Sequence, residues 1–231
     1  MAGAVSAANA AVDRDLAIAR DTLESAERTF ERPALLRARE QLERLAERPD
    51  APPLVSYLQG RAYLDLVTWH QRHASLDDAL HYAELAILVG RTAVERNRQH
   101  SDSHRVLGEA YGRVVAIKRG IAGLLYARRS QQQLALALRL DPLNARAHLA
   151  MGIVKLRSPG VVGGDLDLAL HAFEKAVALT PESWEAHAWL GVAHRERGDT
   201  DSARGAFERA LALSPGNDWV KTEIESLGAR R

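Results

Sequence analysis

Thirty-four residues separate corresponding landmarks near the C-terminal end of this chain, and that interval limits what the chain can fold into. Ala169, Phe173, Ala176 and Pro181 each lie 34 residues before Ala203, Phe207, Ala210 and Pro215. An interval of this size holds one small supersecondary unit. Such a unit cannot bury its own apolar face, so copies must stack into an array.

The second copy shows what each unit contains. In WEAHAWLGVAHRERGDTDSARGAFERALALSP, Leu190, Gly191 and His194 fall on one face of a helix. Gly191, lacking a Cβ, allows another helix to come close. Gly198-Asp199 reads as a tight turn, Ala203, Phe207 and Ala210 form the matching face of a second helix, and Pro215 ends it. With Trp184 as position 1, Leu190 and Gly191 stand at 7 and 8, Ala203, Phe207 and Ala210 at 20, 24 and 27, and Pro215 at 32. The pattern resembles the tetratricopeptide repeat, W-x2-L-G-x2-Y…A-x3-F…P. His187 and His194 stand where that family carries bulky or aromatic residues.

The same frame reaches back along the chain. Residues 1–12 read as a flexible tail, and 13–231 as a single solenoid domain. Its units are expected at about 13–52, 53–100, 101–143, 144–182 and 183–216, with a capping helix at 217–229. Leu16, Ala19, Leu23 and Ala26 predict a first helix from Asp13 to Phe30; Pro33 opens a second through Ala38, Leu42 and Leu45. Extra residues relative to the frame fall around Trp69 to Ser75, near Lys118 to Tyr126, and in RSPGVVGGD between Gly152 and Ala169. The chain thus looks like a group of bacterial tetratricopeptide-repeat proteins with lengthened inter-helix loops. The resemblance implies an all-α, right-handed superhelical solenoid of about five helix pairs plus a C-terminal capping helix.

Composition narrows the function classes. Charged residues make up 26% of the chain, 31 basic and 30 acidic, for a net charge of +1. No global field therefore calls for nucleic acid or an anionic membrane. No apolar run approaches the roughly 18 residues that span a bilayer. Cysteine is absent, which excludes disulfides and thiolate chemistry. The N-terminal MAGAVSAANAAVD ends in an Ala-Asn-Ala that suits a signal peptidase, yet it lacks a basic start and an apolar stretch. As written, the sequence places the protein in the cytoplasm; the periplasm is the alternative if translation starts further upstream.

Motifs that carry chemistry elsewhere have plainer readings here. Gly160, Gly163 and Gly164 precede a helix but lack the Lys-Ser/Thr of a phosphate loop, so Asp165 is expected to cap that helix. His104, His148 and His187 all hold position 4 and lie a repeat apart, too far to share an ion. No nucleophile elbow or H-E-x-x-H helix is present. The expectation is a protein that is not an enzyme and takes no cofactor or metal.

The resemblance also implies a concave groove lined by positions 2, 5, 9, 12 and 13 of each first helix. Its candidate partner-binding residues are Tyr57, Arg61, Arg105, Glu109, Arg113, Arg146, Leu149, Ile153, Arg157, Val192 and Arg195. The fourth unit places Leu149, Ile153 and Leu156 between two arginines, which suits a peptide with an apolar anchor and an acidic flank. The family's clamp for chaperone tails needs Lys and Asn in the groove; Arg105 and Glu109 hold two of those places, so that ligand is not expected. The function read here is a protein–protein interaction module, an adaptor or assembly scaffold. The alternative is a small-molecule or lipid carrier using groove and inserted loops.

Overall fold

The computed structural model of the protein describes the backbone of residues 2–118 and 121–228 and the side chains of 10–118 and 123–228. The described residues form eleven α-helices, one 3-10 turn and no strand. In order they are α1 (Ala2–Thr29), α2 (Arg32–Ala46), α3 (Pro53–Arg72), α4 (Leu76–Arg96), α5 (Ser101–Ile117), α6 (Ile121–Leu140), α7 (Ala145–Arg157), α8 (Leu166–Leu179), α9 (Trp184–Arg197), α10 (Thr200–Leu213) and α11 (Asp218–Gly228). The 3-10 turn, Gly160–Val162, sits between α7 and α8. Helix α1 starts earlier than Asp13, where the apolar periodicity begins, because the preceding Ala-rich run favours helix without an apolar stripe.

By Cα packing the chain divides into two compact units, residues 1–126 and 127–231. In the first unit, α3 packs on α1, α2, α4 and α5. Its core joins Leu23, Leu35, Leu42, Leu58, Leu66, Val67, Ala83 and Val106. In α2 the buried residues are Leu35, Ala38, Leu42 and Leu45, spaced three, four and three apart, which is one stripe of a 3.6-residue helix. Helices α3 and α4 run to 20 and 21 residues, against 13 or 14 for α7 to α10. The extra residues expected around Trp69 to Ser75 therefore lengthen the helices, and the connection itself is only His73–Ser75.

The two ends of that connection form a recurrent helix stop. Ser75 N–H donates to His70 O at 2.9 Å and Ala74 N–H to Gln71 O at 3.4 Å, with Ala74 in the left-handed region at φ 56°.

In the second unit, α9 packs on α7, α8, α10 and α11. The same stop closes α9, where Asp199 N–H donates to His194 O and Gly198 N–H to Arg195 O, both at 3.0 Å. Here the left-handed residue is Gly198, at φ 85°. Each helix start in this unit carries its own side-chain cap. Asn144, Asp165, Ser183, Asp199 and Asn217 accept from the backbone N–H three residues ahead. Two rings fill the hairpins: a Cβ on Gly152 would stand 2.5 Å from the Phe173 ring, and one on Gly191 would stand 2.8 Å from Phe207. Both rings are fully buried, each contributing about 1.5–3 kcal/mol of apolar burial.

Candidate functional site

In the first unit, four of the five expected residues belong to one network of contacts, in which Arg105 Nη2 is buried with no hydrogen-bond partner among the described residues. Arg61 grips Glu27 of α1 with Nη2 at 2.6 and 2.7 Å and Nε at 3.1 Å. The Arg61 guanidinium also lies 5.8 Å from the Tyr57 ring centre, and Tyr57 Oη donates to Asp102 at 3.4 Å. Asp102 accepts from Arg105 Nε, and Glu109 from Arg105 Nη1, each at 2.7 Å. Arg105 is 3% exposed. Burial works against its charge, but the carboxylates of Glu109 and Asp102 prevail and push its pKa up. Arg61 shows the same contest, with Glu27 prevailing over burial. Arg113 stands apart from this network and donates to Gln71 at 3.4 Å. These side chains are engaged within the chain.

The second unit presents a different face. Arg146, Leu149, Ile153 and Arg157 follow at intervals of three, four and four along α7, and so share one stripe. Leu149 and Ile153 are half-buried, packed beside the cluster of Ala169, Leu170, Phe173 and Ala193. Arg146 and Arg157 are exposed, and among the described residues no carboxylate lies within ion-pair distance of either. The Arg157 guanidinium sits 5.2 Å from the Trp189 ring centre. Trp189 stacks on Phe173 at 6.3 Å and meets Trp219 at 5.5 Å.

The last expected pair is covered by α11. Val192 is buried with Val220 and Leu227. Arg195 donates to Glu223, which also accepts from Trp219 Nε1 at 3.0 Å. A shallow concavity of about 390 Å³ opens between α1 and α2, bordered by Ile18, Thr22, Ser25 and Arg37. None of the expected residues lines it.

Residues 161–218 match the family model described as tetratricopeptide repeat. Solved structures agree over more of the chain. TTC0263, a thermophilic TPR protein of Thermus thermophilus, is 22% identical, with 91% of this chain and 99% of that one covered and a TM-score of 0.67. PilF of Pseudomonas aeruginosa is 20% identical over 74% of this chain and 68% of that one, with a TM-score of 0.53. MamA 41-end of Desulfovibrio magneticus RS-1 is 20% identical over 88% and 97%, with a TM-score of 0.52. No curated protein matches the chain.

The chain has the tetratricopeptide-repeat fold.

Two polar positions of the tetratricopeptide frame do work that sequence reasoning missed. At position 4, the Nε2–H groups of His104, His148 and His187 donate to the carbonyls of Arg98, Pro142 and Pro181, at 3.0, 3.0 and 2.9 Å. Each carbonyl lies six residues back, so the ring ties a first helix to the loop that enters it. The acceptors are carbonyls, which places the proton on Nε2. At position 11, Tyr63 donates to Glu43 at 2.7 Å, Arg91 donates to Tyr111 at 3.1 Å, and Lys155 donates to Gln131 at 3.2 Å. Each bond reaches back to the preceding second helix. The recurrence of His at position 4 was visible in the sequence; its carbonyl partner was not.

Among the described residues, no helix is long and apolar enough to cross a membrane.

Proposed function

We propose that the protein is a binding scaffold without catalytic chemistry of its own, and that a partner docks on the α7 face of the second unit. Tetratricopeptide-repeat proteins generally mediate protein–protein interaction or scaffolding. The observation that carries the choice of face is the state of the arginines. Arg61, Arg105 and Arg195 are held by carboxylates of the chain. Arg146 and Arg157 are exposed, on the same stripe as half-buried Leu149 and Ile153. Stacking on Trp189 restricts the Arg157 guanidinium, so less freedom is lost when it grips an acceptor. A peptide with an aliphatic anchor and an acidic flank complements this arrangement.

Selection from a random peptide display library tests the proposal. Enriched sequences are expected to carry Asp or Glu beside Leu, Ile or Val. Arg146→Ala with Arg157→Ala should weaken binding by about 1–3 kcal/mol in total, given the exposure of both groups. It should also flatten the salt dependence and leave helicity unchanged. Enrichment without acidic residues, or binding indifferent to the double substitution, would reject this face. The arginine pair is the cleaner test, because Leu149 and Ile153 also pack in the hairpin core.

A further inference from the structure

His70 closes the last turn of α3, where it is 3% exposed and, among the described residues, neither ring nitrogen has a hydrogen-bond partner. The ring is enclosed by aromatic surface. Tyr82 of α4 stacks on it at 5.3 Å, and Trp69 meets it edge-on at 5.0 Å. Its own carbonyl accepts the Ser75 N–H that stops α3. One residue therefore supplies both a buried titratable ring and the acceptor of the α3–α4 turn.

The charges around the ring are mixed, and burial is the largest influence against a proton. Arg32 of α2 lies over Trp69 at 5.4 Å, and His73 of the turn stacks on the same indole at 3.7 Å. Arg39 of α2 donates to the Tyr82 hydroxyl at 3.3 Å. The opposing group is Asp78 of α4, whose Oδ2 stands 3.4 Å from His70 Nδ1. That carboxylate is 61% exposed, and the same oxygen accepts the Ser75 hydroxyl at 2.5 Å. Its attraction to the ring is the strongest of these charge effects, yet burial outweighs it.

We propose that His70 makes the α3–α4 hairpin an acid-sensitive latch, closed while the ring is neutral and released when the ring takes a proton. Burial lowers the ring's pKa, Arg32 and His73 act in the same direction, and Asp78 opposes them. The unfolded chain therefore binds this proton more readily than the folded one. The stabilisation is fully present above the unfolded value of about 6.5 and is lost as pH falls through it towards the lower folded value. Between those values the opening equilibrium shifts by up to about tenfold per pH unit.

Hydrogen exchange of the full chain at pH 7.5 and 5.5, corrected for intrinsic rates, tests the latch. Amides of α3 and α4 in the wild type should open more at the lower pH. In His70→Phe, which keeps an aromatic ring against Tyr82, the opening should be independent of pH over that range. Equal pH dependence in the two proteins, or firmer protection of the wild type in acid, would overturn the proposal. If His70→Phe does not fold, the His70 ring is titrated in the wild type by nitrogen-15 NMR. A midpoint below 6.5 supports the latch, and one at or above 6.5 overturns it.

Discussion

The two units build the same helix hairpins by different means. The second writes its boundaries locally: five side-chain caps, a glycine in the left-handed stop of α9, and a ring seated on a glycine in each of two hairpins. In the first unit, α2 to α5 start without a side-chain cap bond, and the stop of α3 falls on Ala74. It relies instead on pairs far apart in sequence, such as Glu27–Arg61, Glu43–Tyr63 and Arg39–Tyr82. Hairpin geometry can thus be specified by short-range signals or by side chains meeting across helices. A single substitution should act differently in the two cases.

The largest effects should come from the centres of the two schemes. Phe207→Ala removes a fully buried ring from beside Gly191 and should cost about 3–5 kcal/mol. Arg105→Ala leaves the partly exposed carboxylates of Asp102 and Glu109 without their guanidinium and should cost about 1.5–3 kcal/mol. Urea denaturation read by tryptophan fluorescence separates them, because Trp69 reports on the first unit and Trp184, Trp189 and Trp219 on the second. Raising salt should reduce the penalty of Arg105→Ala and leave that of Phe207→Ala unchanged. Equal salt responses would erase the distinction between the units.

Caps give a smaller contrast. Ser183→Ala removes the acceptor of Ala186 N–H and should cost about 1 kcal/mol. Ser75, at the corresponding point of α4, makes no cap bond to the backbone and donates instead to Asp78. Ser75→Ala should therefore shift the urea midpoint less than Ser183→Ala. The reverse order would show that α4 depends on its start residue as strongly as α9 does.

The left-handed stops provide a reciprocal pair. Ala74→Gly should stabilise the first unit by about 1 kcal/mol, and Gly198→Ala should destabilise the second by about as much. Thermal melting of both variants checks the signs. A loss of stability in Ala74→Gly would show that backbone freedom in the unfolded chain outweighs the relief at φ 56°.

This contrast also explains what could be read in the sequence. The second unit was legible because its signals are short-range. SPGVVGGD holds a proline and three glycines, so the extra residues there had to form a connection, and Asp165 caps α8 as expected. In RAYLDLVTWHQR there is neither glycine nor proline. Nothing stops the helix, so the extra residues extend α3. The expected site shows the same limit. Asp102 and Glu109 stand three residues before and four after Arg105, a pairing the spacing allows one to see. Glu27 reaches Arg61 only through the packing of α1 on α3, and Glu223 reaches Arg195 only through the docking of α11 on α9.

One consequence concerns the ribosome. Among the described residues of each unit, helices pack on helices one or two places along the chain. A hairpin leaving the exit tunnel therefore finds its earlier partners already made, and its later ones follow within the next hairpin. Among these described contacts none makes a helix wait for the C-terminal end before covering its apolar face, so these helices expose little at any moment to other proteins or to proteases.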